Sequence, residues 1–183
     1  MATINIELTD TQSVAWEHLE DRVTNEILYG GGVFGGKTFL GCLWIVTQAL
    51  NYDESRWLIG RSKLKNLKQT TLATFFDVCK TLNLSADTDF NYNAQNGEIT
   101  FLNGSVVILK DLFLYPSDPN FDSLGSLEVS GAFIDECNQC SRKAVEVVKS
   151  RIRYKLAEFG VIPKMLMSCN PAKNWVFTEF FKP

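Results

Sequence analysis

The stretch Glu26–Val46, EILYGGGVFGGKTFLGCLWIV, sets five glycines (Gly30, Gly31, Gly32, Gly35 and Gly36) in seven positions between two apolar runs. Glycine costs backbone entropy, so such a cluster marks backbone that must bend sharply or approach something closely. Lys37 and Thr38 follow at once, and from Gly31 the chain reads G-G-V-F-G-G-K-T. That fits the G-x-x-x-x-G-K-[ST] pattern of a phosphate-binding loop. The surroundings agree: Glu26–Tyr29 reads as a short strand and Thr38–Leu50 as a buried, proline-free helix. Strand, glycine loop and helix is the arrangement in which free amides at a helix start face an anion. Gly31, Gly32, Val33, Phe34, Gly35 and Gly36 would cradle phosphates, Lys37 would reach the β- and γ-phosphates, and the Thr38 hydroxyl would ligate Mg²⁺. The plainer alternative is a glycine-rich turn with a chance lysine, against which a full eight-residue match in context weighs heavily.

Composition narrows the field. With 183 residues, 45% hydrophobic and 21% charged, the chain reads as one globular domain, 1–183, large enough to bury a core without staples. No apolar run is long enough for a membrane span, and MATINIELTD carries no signal-peptide pattern. The net charge of −3 gives no global basic footprint, so nucleic acid would have to be met by a local patch. Five scattered cysteines, Cys42, Cys79, Cys137, Cys140 and Cys169, read as reduced thiols. The Cys137–Cys140 spacing invites zinc, but the only histidine, His18, is remote in sequence.

Along the chain, LTDTQSVAWEHLEDR reads as a helix capped by Thr9 or Asp10, with apolar Val14, Trp16 and Leu19. RWLIG (56–60) is a short strand, and 61–82 is a helix with Leu64, Leu67, Leu72, Phe75, Phe76 and Val78 at roughly helical spacing. Asn96-Gly97 and Asn103-Gly104 punctuate a small antiparallel meander built from FNYNAQ, EITF and SVVILKDL. LEVSGAFIDE is a further strand, SRKAVEVVKSRIRYKL a helix, and KMLMSCNP a last strand. Strands alternating with helices imply a mainly parallel sheet covered on both faces, whose ligands lie beyond the carboxyl ends of its strands.

At one such end, apolar residues 132–134 lead into Asp135 and Glu136. Unpaired buried carboxylates are expensive, and Mg²⁺ beside phosphates supplies a partner. Asp135 would support the metal, and Glu136 would polarise the water that attacks the γ-phosphate. A strand simply ending in solvated acids is the alternative; the upstream phosphate loop argues against it.

Gln12 ahead of the phosphate loop, then EITFLNGSVVILKDL, GAFIDE and LMSCNP together resemble the ATPase domain of a tailed-bacteriophage terminase large subunit, the DNA-packaging motor. The resemblance spans essentially the whole chain. It implies an α/β P-loop NTPase fold of the ASCE type, with ATP and Mg²⁺ as ligands. It also implies double-stranded DNA, a portal protein and a small terminase subunit as partners, a homo-oligomeric ring, and the host cell cytoplasm as the setting. By the same resemblance Gln12 would read the adenine edge, and Ser168, Cys169 and Asn170 would sense the γ-phosphate. Hydroxyl and amide groups at a strand end can hold water or phosphate without competing as a base, and Pro171 stops the ladder there.

Two departures stand out. Family members often carry an arginine inside the phosphate loop, where this chain has Val33 or Phe34. The cation would then come from Arg142, Arg151 or Arg153 of a neighbouring subunit, or from Arg61 within the chain. The nuclease domain that usually follows is expected to lie outside this chain. The basic run Arg61, Lys63, Lys65 and Lys68 reads either as a DNA contact or as a solvated face. Two rivals remain open: a helicase- or recombinase-like ATPase, and a non-hydrolysing nucleotide-gated interaction module.

Overall fold

The computed structural model describes residues 6–32 and 36–182. Seven strands form one sheet in the order β1-β7-β6-β2-β5-β4-β3. They are β1 (Glu26–Gly30), β2 (Arg56–Arg61), β3 (Phe90–Asn93), β4 (Glu98–Phe101), β5 (Val106–Asp111), β6 (Gly131–Ile134) and β7 (Lys164–Cys169). The five strands from β1 to β5 in that order are mutually parallel, whereas β4 and β3 add on antiparallel. The meander therefore forms as expected, but its last strand belongs to the parallel sheet, paired with β2.

Period-two alternation buries the sheet on both sides. Trp57 and Ile59 of β2, Phe133 of β6 and Leu166 of β7 face one cluster, with α2 and α4 packed on it. Leu58, Ala132, Ile134, Met165 and Met167 face the other, against α5 and the loop 112–129. These are α2 (Lys37–Asn51), α4 (Leu72–Thr81) and α5 (Arg142–Ser150); α1 (Asp10–Glu20) precedes β1, and α3 (Leu64–Asn66) and α6 (Leu156–Phe159) are single turns.

The helix starts follow capping chemistry. Thr9 caps α1 in a reciprocal capping box with Gln12, and the Ser141 hydroxyl accepts from the Ala144 amide at the start of α5. In α1 the buried positions are Gln12, Ala15 and Leu19, one helical face, which leaves the expected apolar Val14 exposed. At the other end of α1, the buried Lys164 ammonium donates to the His18 and Asp21 carbonyls at 2.6 and 2.9 Å. A cation at a helix C-terminus is the favourable polarity, and this one ties α1 to the first residue of β7.

Two expected helices come out differently. The helix after β2 is interrupted by a π-turn at Leu67–Thr71, which inserts one residue and re-phases the buried face. The helix expected over 141–156 ends at Ser150, because the Arg151 carbonyl and the Arg153 amide bond the backbone of Val129 ahead of β6.

Helix α2 lies close enough on β6 that a methyl group at Gly41 would collide with three ring atoms of fully buried Phe133. Gly41→Ala should therefore destabilise the fold by about 1–3 kcal/mol through overpacking, although Gly→Ala on an exposed helix stabilises by about 1 kcal/mol. Urea unfolding of both proteins measures the sign directly.

Candidate functional site

Parallel register brings the motifs together. Gly30 pairs with Cys169, and Ile134 pairs with Met167 on one side and Gly60 on the other. The residues that follow, Asp135, Ser168 and Arg61, thus emerge side by side at the carboxyl edge, next to the glycine loop. The Asp135 amide still continues the ladder, donating to the Gly60 carbonyl at 2.9 Å.

Asp135 is 2% exposed and fully partnered. Its Oδ1 accepts from the Thr38 hydroxyl at 3.1 Å and the Ser168 hydroxyl at 2.6 Å. Its Oδ2 accepts from the Thr71 hydroxyl at 2.6 Å and lies 3.7 Å from the Arg61 guanidinium. Glu136 sits just beyond, with φ at 52°, a left-handed conformation uncommon for glutamate. Its amide donates to Ser168 Oγ at 3.0 Å. Its Oε2 takes both Arg61 Nη2 and Gln139 Nε2 at 2.5 Å.

In the loop, the Lys37 ammonium donates to the carbonyls of Gly31 and Gly32 at 3.0 and 2.7 Å. Gly36 starts α2 at φ 60°, and a side chain there would strike the Gln12 amide. Gln12 is buried: its Oε1 accepts from the Thr9 amide and hydroxyl, and its Nε2 donates to the Gly36 carbonyl at 3.2 Å. An amide so engaged keeps one N–H to offer, so Gln12 can meet a base acceptor without breaking a bond. Val33, Phe34 and Gly35 lie outside the described residues. Cys169 and Asn170 line a cavity of about 800 Å³ beside Gly30 and Gly31, whose walls also include Thr11, Lys173, Val176 and Phe177.

Thr38 and Asp135 offer hard oxygen donors in contact with one another. No cluster of three or more acidic, histidine or cysteine ligands occurs among the described residues. That fits Mg²⁺, which takes one or two protein oxygens and completes its shell with phosphate and water, and does not fit a dedicated protein cage. Cys137 and Cys140 are both buried, and burial pushes their thiols up, Cys140 to about 12. Ordinary packing is the reading they support.

Of the four candidate arginines, only Arg61 touches the acidic pair. Arg142 pairs with Glu179, Arg153 pairs with Glu128, and Arg151 lies with Arg153 at the opposite, amino end of β6. Within the basic run, Arg61 is buried, Lys63 and Lys65 are exposed, the Lys63 ammonium sits over the Phe113 ring at 4.9 Å and Lys68 donates to the Ala94 carbonyl. The sequence reading missed Thr71 and Gln139. The five-residue step from Leu67 to Leu72 was the available sign of the π-turn that delivers Thr71; no comparable sign marks Gln139.

The sequence profile of a family described as phage terminase large subunit matches residues 23–183. No curated protein sequence matches the chain. Among solved structures, the large terminase of a thermophilic bacteriophage superposes with a TM-score of 0.73 at 17% identity, covering 96% of this chain and 43% of that one. The same protein in complex with ADP gives 0.73 at 16%, with coverage of 95% and 42%. The large terminase ATPase domain of Thermus phage P74-26 gives 0.65 at 12%, covering 95% of this chain and 69% of that one. The chain thus spans less than half the length of the first of these proteins.

Burial gives the cysteines a measurable signature. With Cys79 and Cys140 pushed up to about 12, and Cys137 higher, the thiolate fraction at pH 8 is about one in ten thousand or less. Folded protein at pH 8 should leave these three unmodified by iodoacetamide, whereas urea-unfolded protein takes up five adducts, one per cysteine, by mass spectrometry.

Proposed function

The chain belongs to the phage terminase large subunit family, and on that premise we propose that it is an ATP-hydrolysing motor domain that powers packaging of double-stranded DNA into a procapsid. The observation that carries this reading is the 3.1 Å contact between Thr38, one residue past the loop lysine, and Asp135 at the end of β6. It joins the phosphate loop to the acidic pair at a single point. The large terminase of the thermophilic bacteriophage has been solved with ADP and with ATP-gamma-S, which supports a nucleotide site on this fold.

The roles follow from the bonds. Lys37, held by loop carbonyls, exchanges them for β- and γ-phosphate oxygens, a charge-assisted and therefore stronger partnership. Thr38 and Asp135 would hold Mg²⁺, which would offset phosphate charge. Glu136 takes the proton of the attacking water as its oxygen bonds to the γ-phosphorus and the bond to ADP breaks. Ser168 sets that base in place: it accepts from the Glu136 amide and donates to Asp135. Asn170 extends the same strand end toward the cavity beside Gly30 and offers an amide to nucleotide or water. Gln12 links α1 to the loop through Gly36 and presents its remaining N–H to adenine.

Work on DNA requires partners beyond the nucleotide. We assign to this domain a place in a homo-oligomeric ring on a portal protein, fed with double-stranded DNA by a small terminase subunit in the host cell cytoplasm. Family membership supports this assignment.

Lys37→Ala should abolish binding of a fluorescent ATP analogue. Glu136→Gln should keep binding and lower phosphate release by about 10²–10⁴-fold, the usual contribution of a positioned base. Wild-type turnover in Glu136→Gln would sink the assignment of Glu136.

A further inference from the structure

Lys63 and Lys65 stand just past the carboxyl end of β2, both exposed, and neither ammonium has a hydrogen bond or ion pair among the described residues. Neither 61–68 nor 112–117 contains an acidic residue. The nearest carboxylate in the chain, Asp111 at the end of β5, is engaged by three donors. Its Oδ1 accepts from the Phe113 amide at 2.9 Å, and its Oδ2 accepts from the Leu64 amide and the Tyr115 hydroxyl, both at 3.1 Å. That one group ties the turn after β2 to the loop after β5. Phe113 and Tyr115 meet edge to face with centroids 5.0 Å apart, and the Lys63 ammonium lies 4.9 Å from the Phe113 centroid. Phe113, Leu114 and Tyr115 are 37%, 48% and 43% exposed. Three consecutive large apolar residues left in solvent mark a contact surface, and the lysines beside them give it a positive sign.

We propose that this patch, formed by Lys63, Lys65 and the loop 113–115, is a contact surface for the phosphate backbone of double-stranded DNA. The inference rests on the packaging function proposed above, which makes duplex DNA the partner, and it adds where the duplex is met. A net charge of −3 gives no global attraction, so the backbone must be met where cations are unpaired, as Lys63 and Lys65 are. A lysine loses rotamer freedom when it is fixed on a phosphate. The ring under Lys63 already restrains that side chain and leaves its N–H groups to donate. Phe113 is in contact with both Lys63 and Tyr115, and Tyr115 is tethered to Asp111, so the rings brace the lysine and are not open platforms for bases. That favours a duplex backbone over a single strand, whose bases stack on free aromatic faces. Contacts of this kind position the domain on DNA without reading its sequence.

Fluorescence anisotropy of a short labelled DNA duplex, and of its single strand, is measured between about 50 and 200 mM salt without nucleotide. The wild-type chain is compared with Lys63→Ala/Lys65→Ala, with Phe113→Ala, and with Lys80→Ala, which removes an exposed lysine of α4. The double variant should flatten the slope of log affinity against log salt by about 0.9 for each lysine removed, whatever the duplex sequence. Phe113→Ala keeps both charges and loses the brace, so it should weaken duplex binding about two- to fivefold at an unchanged slope. Lys80→Ala should leave slope and affinity as they are. An unaltered slope in the double variant, an equal loss in Lys80→Ala, or tighter binding of the single strand overturns the proposal. A wild-type chain that binds no duplex also overturns it, which is the result expected if the patch docks a protein. A fluorescent ATP analogue reads the nucleotide site separately, and all three variants should bind it as the wild type does. Nucleotide binding without duplex binding sinks this surface alone, whereas duplex binding through the patch without nucleotide binding sinks the ATPase reading.

Discussion

A buried carboxylate must be neutralised or fully bonded, and Asp135 is the point at which this fold meets that requirement. Its donors come from four separate elements: Thr38 from α2, Thr71 from the π-turn, Ser168 from β7 and Arg61 from β2. Apart from Arg61 and Thr71, which stand ten residues apart, these residues are distant in sequence, so satisfying one charge fixes the mutual positions of the loop helix, the strand ends and the helix after β2. Deleting any one donor would leave charge underbonded in the interior, at about 1–3 kcal/mol for each lost hydrogen bond. The geometry that would serve chemistry is also the geometry that keeps this charge tolerable.

What the sequence disclosed follows the range over which each signal acts. The phosphate loop, the strand ending in Asp135 and Glu136, and the two Asn-Gly turns are local patterns, and the elements that flank them lie where those patterns place them. The sheet order is harder, but alternating strands and helices limit it to a few topologies. Helix limits depart from expectation where a distant partner decides them: Val129 captures the backbone at Arg151 and ends α5 early. Val14 is exposed because helical spacing names a stripe without naming the side that meets the sheet. The pairing of Arg61 with Glu136 was beyond reach, since it depends on β2 and β6 being neighbours in a particular register.

The likeness to the large terminases of the thermophilic bacteriophage and of the Thermus phage persists at 12–17% identity. At that distance few side chains are shared, and what persists is the backbone path. Gly41 meets one demand of that path, the close approach of α2 to the Phe133 ring.

The pairing of β1 with β7 carries a kinetic implication. Glu26 and Met165 are partners although they stand roughly 140 residues apart, so joining them closes a long loop, which delays that step relative to nearer contacts. The hairpins around Asn96-Gly97 and Asn103-Gly104 need no such closure. Because the glycine loop leaves β1 and Ser168 lies near the end of β7, the pocket cannot exist before this pairing is made. A ligand held there would therefore bind only the chain in which this pairing is made, and would act as a thermodynamic latch on it.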